Sequence, residues 1–403
     1  MLLVLRLGNE ILPGHHFYLL NHQRPSNFLA FSQTSREAVE LNKPLNLSYM
    51  NNLLKILVIL SGIVSSDVAS KDHEHSGMGM MEDKHHSNLH PPSPIGVMGN
   101  MHHEGFMFSI KHGLMKMNHN ISNGNNISNS KILEMPTKLS VIPENMDMKM
   151  TMVEGMYAPS NNLTLMVMGT YLSKEMKLST YSPMMGRDLI GHFNTSTSDL
   201  SDITLSALFK ISEKNMSKWH GEVSYQKSVG SADQTGKALT PMGTRIEMIM
   251  PYAMQSGDDA TRVILGLTNT RQLNEKIIWG NQIKRKIVVN NSHWSFGDQT
   301  ELNSWLQYSL GKHISFSSRL KFLDQDGISG RDSMIVAPVQ TANPDNYGGK
   351  ELHFGFGINW AMNLSPGGND LLGFELLKPL IQNKNNLQMK SDHQIILGYK
   401  KNI

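Results

Sequence analysis

The chain has 403 residues, with 37 Lys and Arg against 34 Asp and Glu, and no cysteine. A net charge of +3 leaves no basic footprint for nucleic acid. The lack of cysteine removes disulfides, Cys-ligated zinc and thiol catalysis, and it suits a compartment where stray thiols would oxidise.

Methionine, at 29, and histidine, at 18, are both abundant. Mean hydropathy is −0.30. Outside one N-terminal segment no run approaches the roughly 18 apolar residues of a spanning helix. A transmembrane β-barrel tolerates such modest hydropathy, because only every second strand residue must face lipid.

Residues 50–70 have the form of a secretory signal peptide. Lys55 supplies the charged region, 56–64 the apolar region, and Val68-Ala69-Ser70 a small-residue cleavage site. The competing reading is a buried helix of a soluble domain. Residues 1–49 show no sustained period, so they are expected to be an upstream extension, with Met50 as the true start.

Residues 71–94 hold His73, His75, Met78, Met80, Met81, His85, His86 and His90 before a Pro-Pro-Ser-Pro break. With few aliphatic residues this segment cannot build a core and is expected to be a disordered periplasmic tail. Imidazole and thioether together suit copper, and thioether favours Cu(I). Met98, Met101, His102 and His103 follow just before the first strand and extend the candidate metal set. Neighbouring histidines on an extended chain point to opposite faces, so only one side of that group gathers ligands well. The alternatives are a solvated tail and a plug contact at the barrel mouth. No cofactor is required, and copper is the one ion this stretch suggests.

Residues 95–403 are expected to form the barrel. The pattern is all-β, an antiparallel transmembrane β-barrel of about 12 strands. Strands are predicted over 105–117, then as a hairpin within 146–171, then over 201–211, 217–227, 260–270, 276–289, 299–309, 313–322, 350–362, 370–380 and 392–401. The connections alternate long and short. Short periplasmic turns and long extracellular loops produce that rhythm in outer-membrane barrels, and it places both termini in the periplasm. Phe354, Phe356, Ile358 and Trp360 alternate with His353, Gly355, Gly357 and Asn359. Trp219, Tyr225, Trp279, Trp305, Tyr308, Trp360 and Tyr399 lie toward strand ends, as interfacial girdles do.

The run Pro94-Ile95-Gly96-Val97-Met98-Gly99-Asn100-Met101-His102-His103-Glu104-Gly105 with Phe106-Met107-Phe108-Ser109 resembles a proteobacterial family of methionine-rich outer-membrane barrels. That family is transporter-like and loosely related to the barrels named after the MetA pathway of phenol degradation. The resemblance continues through Gly155-Met156-Tyr157-Ala158-Pro159-Ser160, Ser201-Asp202-Ile203-Thr204-Leu205-Ser206, Pro251-Tyr252-Ala253-Met254-Gln255-Ser256-Gly257 and Pro338-Val339-Gln340-Thr341-Ala342-Asn343-Pro344-Asp345. It covers most of residues 94–400. It implies an outer-membrane barrel and transport, sometimes beside metal resistance. Outer-membrane barrels tend to close on an aromatic residue, whereas this sequence ends Tyr399-Lys400-Lys401-Asn402-Ile403.

No nucleophile elbow, HExxH, P-loop or dinucleotide motif is present. A lipid hydrolase with a Ser/His pair on the barrel rim is the enzymatic alternative, but no spacing singles out His192, His220 or His293.

The methionine ladder is the feature that needs a face. Met146, Met148, Met150, Met152 and Met156 share one parity, and Asp147, Lys149, Thr151, Val153 and Tyr157 share the other. On the next strand Leu163, Leu165, Val167 and Tyr171 suit lipid, which turns Met166 and Met168 to the lumen. On the ladder strand itself Asp147, Lys149 and Thr151 suit a lumen. The assignment on this strand stays open: that choice would leave the methionines against lipid, where thioethers are inert, and the ladder would then argue for a barrel wall more than for a metal path.

The expectation is therefore a monomeric, non-enzymatic outer-membrane channel or transporter of a Gram-negative bacterium. Its partners would be outer-membrane lipid, the barrel-assembly machinery, and a small solute or metal ion, with no nucleic acid. A closed-lumen binding or structural barrel is the second reading.

Overall fold

Each wall strand pairs with a neighbour reached by the next connection, and the last strand returns to pair with the first. The computed structural model describes residues 105–402 apart from 185, 215 and 363–369. The predicted extension, signal peptide and tail, with the candidate metal residues between His73 and His103, lie outside the described residues.

In chain order the elements are β1 (Gly105–Ser122), β2 (Asn125–Ile127), α1 (Asn129–Leu133), β3 (Val141–Ser160), β4 (Leu163–Tyr181), β5 (Leu189–Lys214), β6 (Ser217–Ser228), β7 (Thr235–Leu239) and β8 (Arg245–Ile249). They continue as β9 (Thr261–Asn274), β10 (Ile277–Asn290), β11 (Trp294–Ser295), β12 (Gln299–Leu310), β13 (Ile314–Gln325), β14 (Ser329–Gly330), β15 (Gly349–Met362), β16 (Asp370–Lys384) and β17 (Leu387–Asn402). Twelve of these strands form one closed antiparallel barrel in the order β1, β3, β4, β5, β6, β9, β10, β12, β13, β15, β16, β17. Closure matters because an open edge would leave backbone N–H and C=O groups without partners, which a lipid environment does not satisfy.

The alternation of each strand separates two surfaces. Outward residues near the short-turn end are large and apolar, including Phe106, Phe108, Leu165, Val167, Leu205, Tyr225, Phe354, Phe356 and Leu397, all exposed. Trp219, Tyr308 and Trp360 stand on the same outer surface. On β4 this belt runs from Leu165 to Tyr171 before giving way to Ser173, Glu175 and Lys177. That run approaches the 9–11 residues of a tilted transmembrane strand.

Several strands are longer than their sequence pattern suggests. The region read as a long loop over 177–200 is mostly strand, leaving only 182–188 between β4 and β5. Likewise 381–391 shrinks to the turn at Asn385 and Asn386. Beyond the apolar belt the outer face is polar too, so the period of two fades from the sequence while the hydrogen-bonded ladder continues. The 228–259 connection contains the β7–β8 hairpin, and β11 pairs with β14 in a second small sheet.

One side-chain assignment changes, and one that the sequence leaves open is decided. Trp305 is 1% exposed and lies on the inner face of β12 rather than in a girdle. It sits opposite Gly280 of β10, where an added Cβ would fall 2.1 Å from the indole. The glycine is what lets the ring lie against the wall. The open one is the ladder. Met146 and Met152 are buried and face inward, while Lys149, Val153 and Tyr157 are exposed on the outside. Asp147, Lys149 and Thr151 are outward because this part of β3 stands beyond the apolar belt. There Asp147 meets Lys116 of β1 at 3.7 Å on the polar outer surface.

Candidate functional site: the barrel lumen

The inner face has two chemically different walls. One spans β1, β3 and β4 and is rich in thioether. The inward parity of β1 carries Met107, Met115 and Met117, and that of β3 carries the whole ladder. On β4 it carries Met166, Met168 and Met176. Met166 packs with Leu208 of β5, and with Met156 and Met168, near the short turns. Met146 and Met176 pack with Met250, Met254 and Met389 near the long loops, joined by the half-buried Met117.

The opposite wall is polar and ion-paired. In a barrel of twelve, β12 stands six strands from β3 in the circuit. Arg319 of β13 makes a two-pronged contact with Glu375 of β16, Nε to Oε1 at 2.9 Å and Nη2 to Oε2 at 3.0 Å. Its third nitrogen donates to Asn303 at 2.7 Å, and Asn303 donates to Glu301 at 2.7 Å. Glu301 in turn meets Lys321 at 2.7 Å. Further round, Glu222 of β6 pairs with Lys284 of β10 at 2.9 Å. Charges taken out of bulk water need such partners and hydrogen bonds, and here each charge has both. This web is buried against solvent by its own side chains. By contrast, Met115, Met148 and Met150 on the thioether wall keep partial exposure.

Connecting segments fold over the long-loop end and are pinned to the wall. Lys174 of β4 donates to the Ala253 and Gln255 carbonyls at 3.0 and 2.5 Å. Thr197 of β5 donates to the Met254 carbonyl at 2.6 Å. The Gln255 side chain donates to the Met250 carbonyl at 2.6 Å and holds the turn together. A second segment enters through Val339, which bridges to Val141, and Gln340, which donates to Asn120 at 2.8 Å. In these connecting segments Tyr252 packs edge-on against Trp294 and Tyr347. Burial drives the Tyr347 phenol well above its ordinary range, so it stays protonated and donates to the Thr341 carbonyl. Between these segments and the wall lies a cavity of about 140 Å³, lined by Met176, Phe193, Leu239, Met248, Met250 and Met254 among others.

The histidines considered for hydrolysis do not form a nucleophile and base. His192 contacts Ser179 at 2.8 Å, but the serine hydroxyl donates to Glu144 at 2.6 Å. The carboxylate therefore orients the serine instead of the imidazole, and Ser179 is wholly buried. His220 is buried in the lumen next to Glu222. His293 lies in the long-loop region, where its carbonyl accepts from the Arg331 amide. Among the described residues no three His, Asp or Glu side chains gather as a metal site.

Sequence reasoning missed the plug contacts of Lys174 and the Arg319–Glu375 pair, since both depend on which strands become neighbours. It also left Met107, Met115 and Met117 out of the ladder. Their parity, opposite to Phe106, Phe108 and Ile110, was the available signal.

Fold and lumen together define the outer-membrane type of β-barrel, with an apolar belt outside and an interior that is ion-paired on one wall and thioether-rich on the other. An outer membrane channel from Pseudomonas putida F1 matches with a TM-score of 0.51 at 14% identity, over 78% of this chain and 99% of that one. The β domain of the Bordetella autotransporter BrkA matches with a TM-score of 0.43 at 9% identity, over 74% of this chain and 100% of that one. No family model matches the sequence, and no curated protein is similar to it in sequence.

Proposed function

We propose that this protein is a passive outer-membrane channel for a small solute in a Gram-negative bacterium, working without catalysis. The observation that carries the reading is the inversion of a soluble barrel, with the large apolar side chains outside and ion-paired polar ones inside. The Pseudomonas putida protein of the same fold is an outer membrane channel, which supports it. In this reading the short turns, Gly105 and Asn402 face the periplasm and the inward-folded segments guard the outer mouth. The barrel is a monomer that meets lipid, the assembly machinery and its solute, and holds no resident cofactor.

The reading is tested by conductance of the purified full chain in planar lipid bilayers. Discrete current steps are expected, and a silent barrel with no solute flux would remove it. The competing reading, a closed barrel with a binding or structural role, draws on the sealed Arg319–Glu375 web, and a silent bilayer would favour it.

A link to copper handling is the finer part of the proposal. It rests on the ligand set His73, His75, Met78, Met80, Met81, His85, His86, His90, Met98, Met101, His102 and His103. Cu(I) binding through residues 73–103 is expected. Unchanged copper stoichiometry after deletion of 71–93 would contradict it.

A further inference from the structure

The apolar residues of β1, β3 and β4 are sorted by face. Outward, these strands use Phe, Ile, Val, Leu and Tyr and no methionine, whereas inward the apolar residue is predominantly methionine. Hydrophobic packing alone does not ask for that, because both faces need apolar bulk. What methionine has and leucine lacks is a polarisable sulfur on a flexible stem, able to ligate soft cations.

Strand register arranges these sulfurs in rows. Met117, Met146 and Met176 are directly opposed across three adjacent strands, and so are Met107, Met156 and Met166. Cβ atoms of opposed residues are about 4.5–5.5 Å apart, within reach of three converging thioethers. The first row meets the cavity of about 140 Å³ through Met176, and Met248, Met250 and Met254 line the same cavity. Between the rows Met115 opposes Met148, and Met150 and Met152 continue along β3. From Met146 to Met156 is ten residues, or about 33 Å along a strand. The charges on this wall have their own partners. Lys111 holds Glu154 at 2.7 Å, and Lys174 is turned to the plug carbonyls.

We propose that this wall is a conduit for a soft monovalent cation, Cu(I) or Ag(I). The two rows are its stations, and the ion passes between them by exchange of one neutral thioether for the next. The metal enters and leaves in the same oxidation state, so no electron or proton moves. Zn²⁺ and Cu²⁺, which prefer imidazole and carboxylate, find no matching cluster among the described residues. The conduit rests on the channel reading, but the binding site can be measured apart from it.

The test uses silver nitrate as the probe. The full chain, and a variant carrying Met107→Leu, Met156→Leu and Met166→Leu, are compared in detergent by calorimetric titration and in bilayers by block of potassium current. Leucine keeps apolar bulk, so the fold is retained, and a second variant, Met146→Leu with Met176→Leu, covers failure of the first. Both variants keep the N-terminal His/Met stretch, which is therefore constant between arms. The expected result is Ag⁺ affinity, and the concentration for half-block, weakened by roughly tenfold or more in the variants. Equal titration curves for wild type and both variants overturn the conduit. A small arene that enters the lumen where Ag⁺ does not bind also overturns it, in favour of an apolar solute. Silent bilayers with intact thioether-dependent titration remove the channel reading and leave the metal site standing.

Discussion

Arg319 and Glu375 illustrate how single residues set the interior. Both side chains are almost fully buried, and each prong of the guanidinium has an acceptor. Gly355 makes the room, since a Cβ there would lie 2.9 Å from the Glu375 carboxylate. Glu375→Gln strips the charge from one partner and leaves the other buried, at an expected cost of about 3–5 kcal/mol. Replacing both at once, Arg319→Met with Glu375→Leu, is expected to be near neutral, because apolar residues of similar volume often substitute for a buried pair. Urea unfolding in lipid vesicles checks both, and a double variant as weak as the single would refute the argument. Gly280 is under a similar constraint from Trp305. Gly280→Ala displaces the indole and is expected to cost about 1–3 kcal/mol by overpacking, read by the same measurement.

At the level of elements, the inward-folded segment around Tyr252–Met254 has few regular hydrogen bonds of its own and depends on the wall. Lys174 anchors it through two carbonyls, and Thr197 through a third. Lys174→Met removes the donor but keeps the stem, so the strand stays packed while the segment loosens. The expected loss is about 1–3 kcal/mol, as for buried acceptors left without a partner, together with larger single-channel current. Unchanged current would mean that the segment does not guard the pore.

For the whole molecule, closure and the apolar belt make depth the variable that matters. Leu205 lies midway up the belt on β5, and Ser173 on β4 lies just beyond Tyr171, where the outer face turns polar. Leu205→Arg is expected to cost about 2–4 kcal/mol in a bilayer, and Ser173→Arg only about 0–1. Reversible unfolding from vesicles, followed by tryptophan fluorescence, gives both values. Equal costs would place the belt elsewhere.

The sequence by itself determined the strand period, the short turns near Asn161-Asn162 and Leu310–Ile314, and the shared parity of Phe354, Phe356 and Trp360. These are local signals, carried by alternation along one strand and by turn residues. The same reading stopped short where strands leave the belt, because a strand with two polar faces has no alternation to show. Tertiary structure alone decided which face of Met146–Met156 is inside. Asp147 and Lys149 look like lumen residues until the height of β3 relative to the belt is known. It also decided that Met117, Met146 and Met176 form one row, since register across three strands is a relation between distant segments. A single strand fixes only that its two faces differ. Which face closes around the lumen depends on the curvature and register of all twelve.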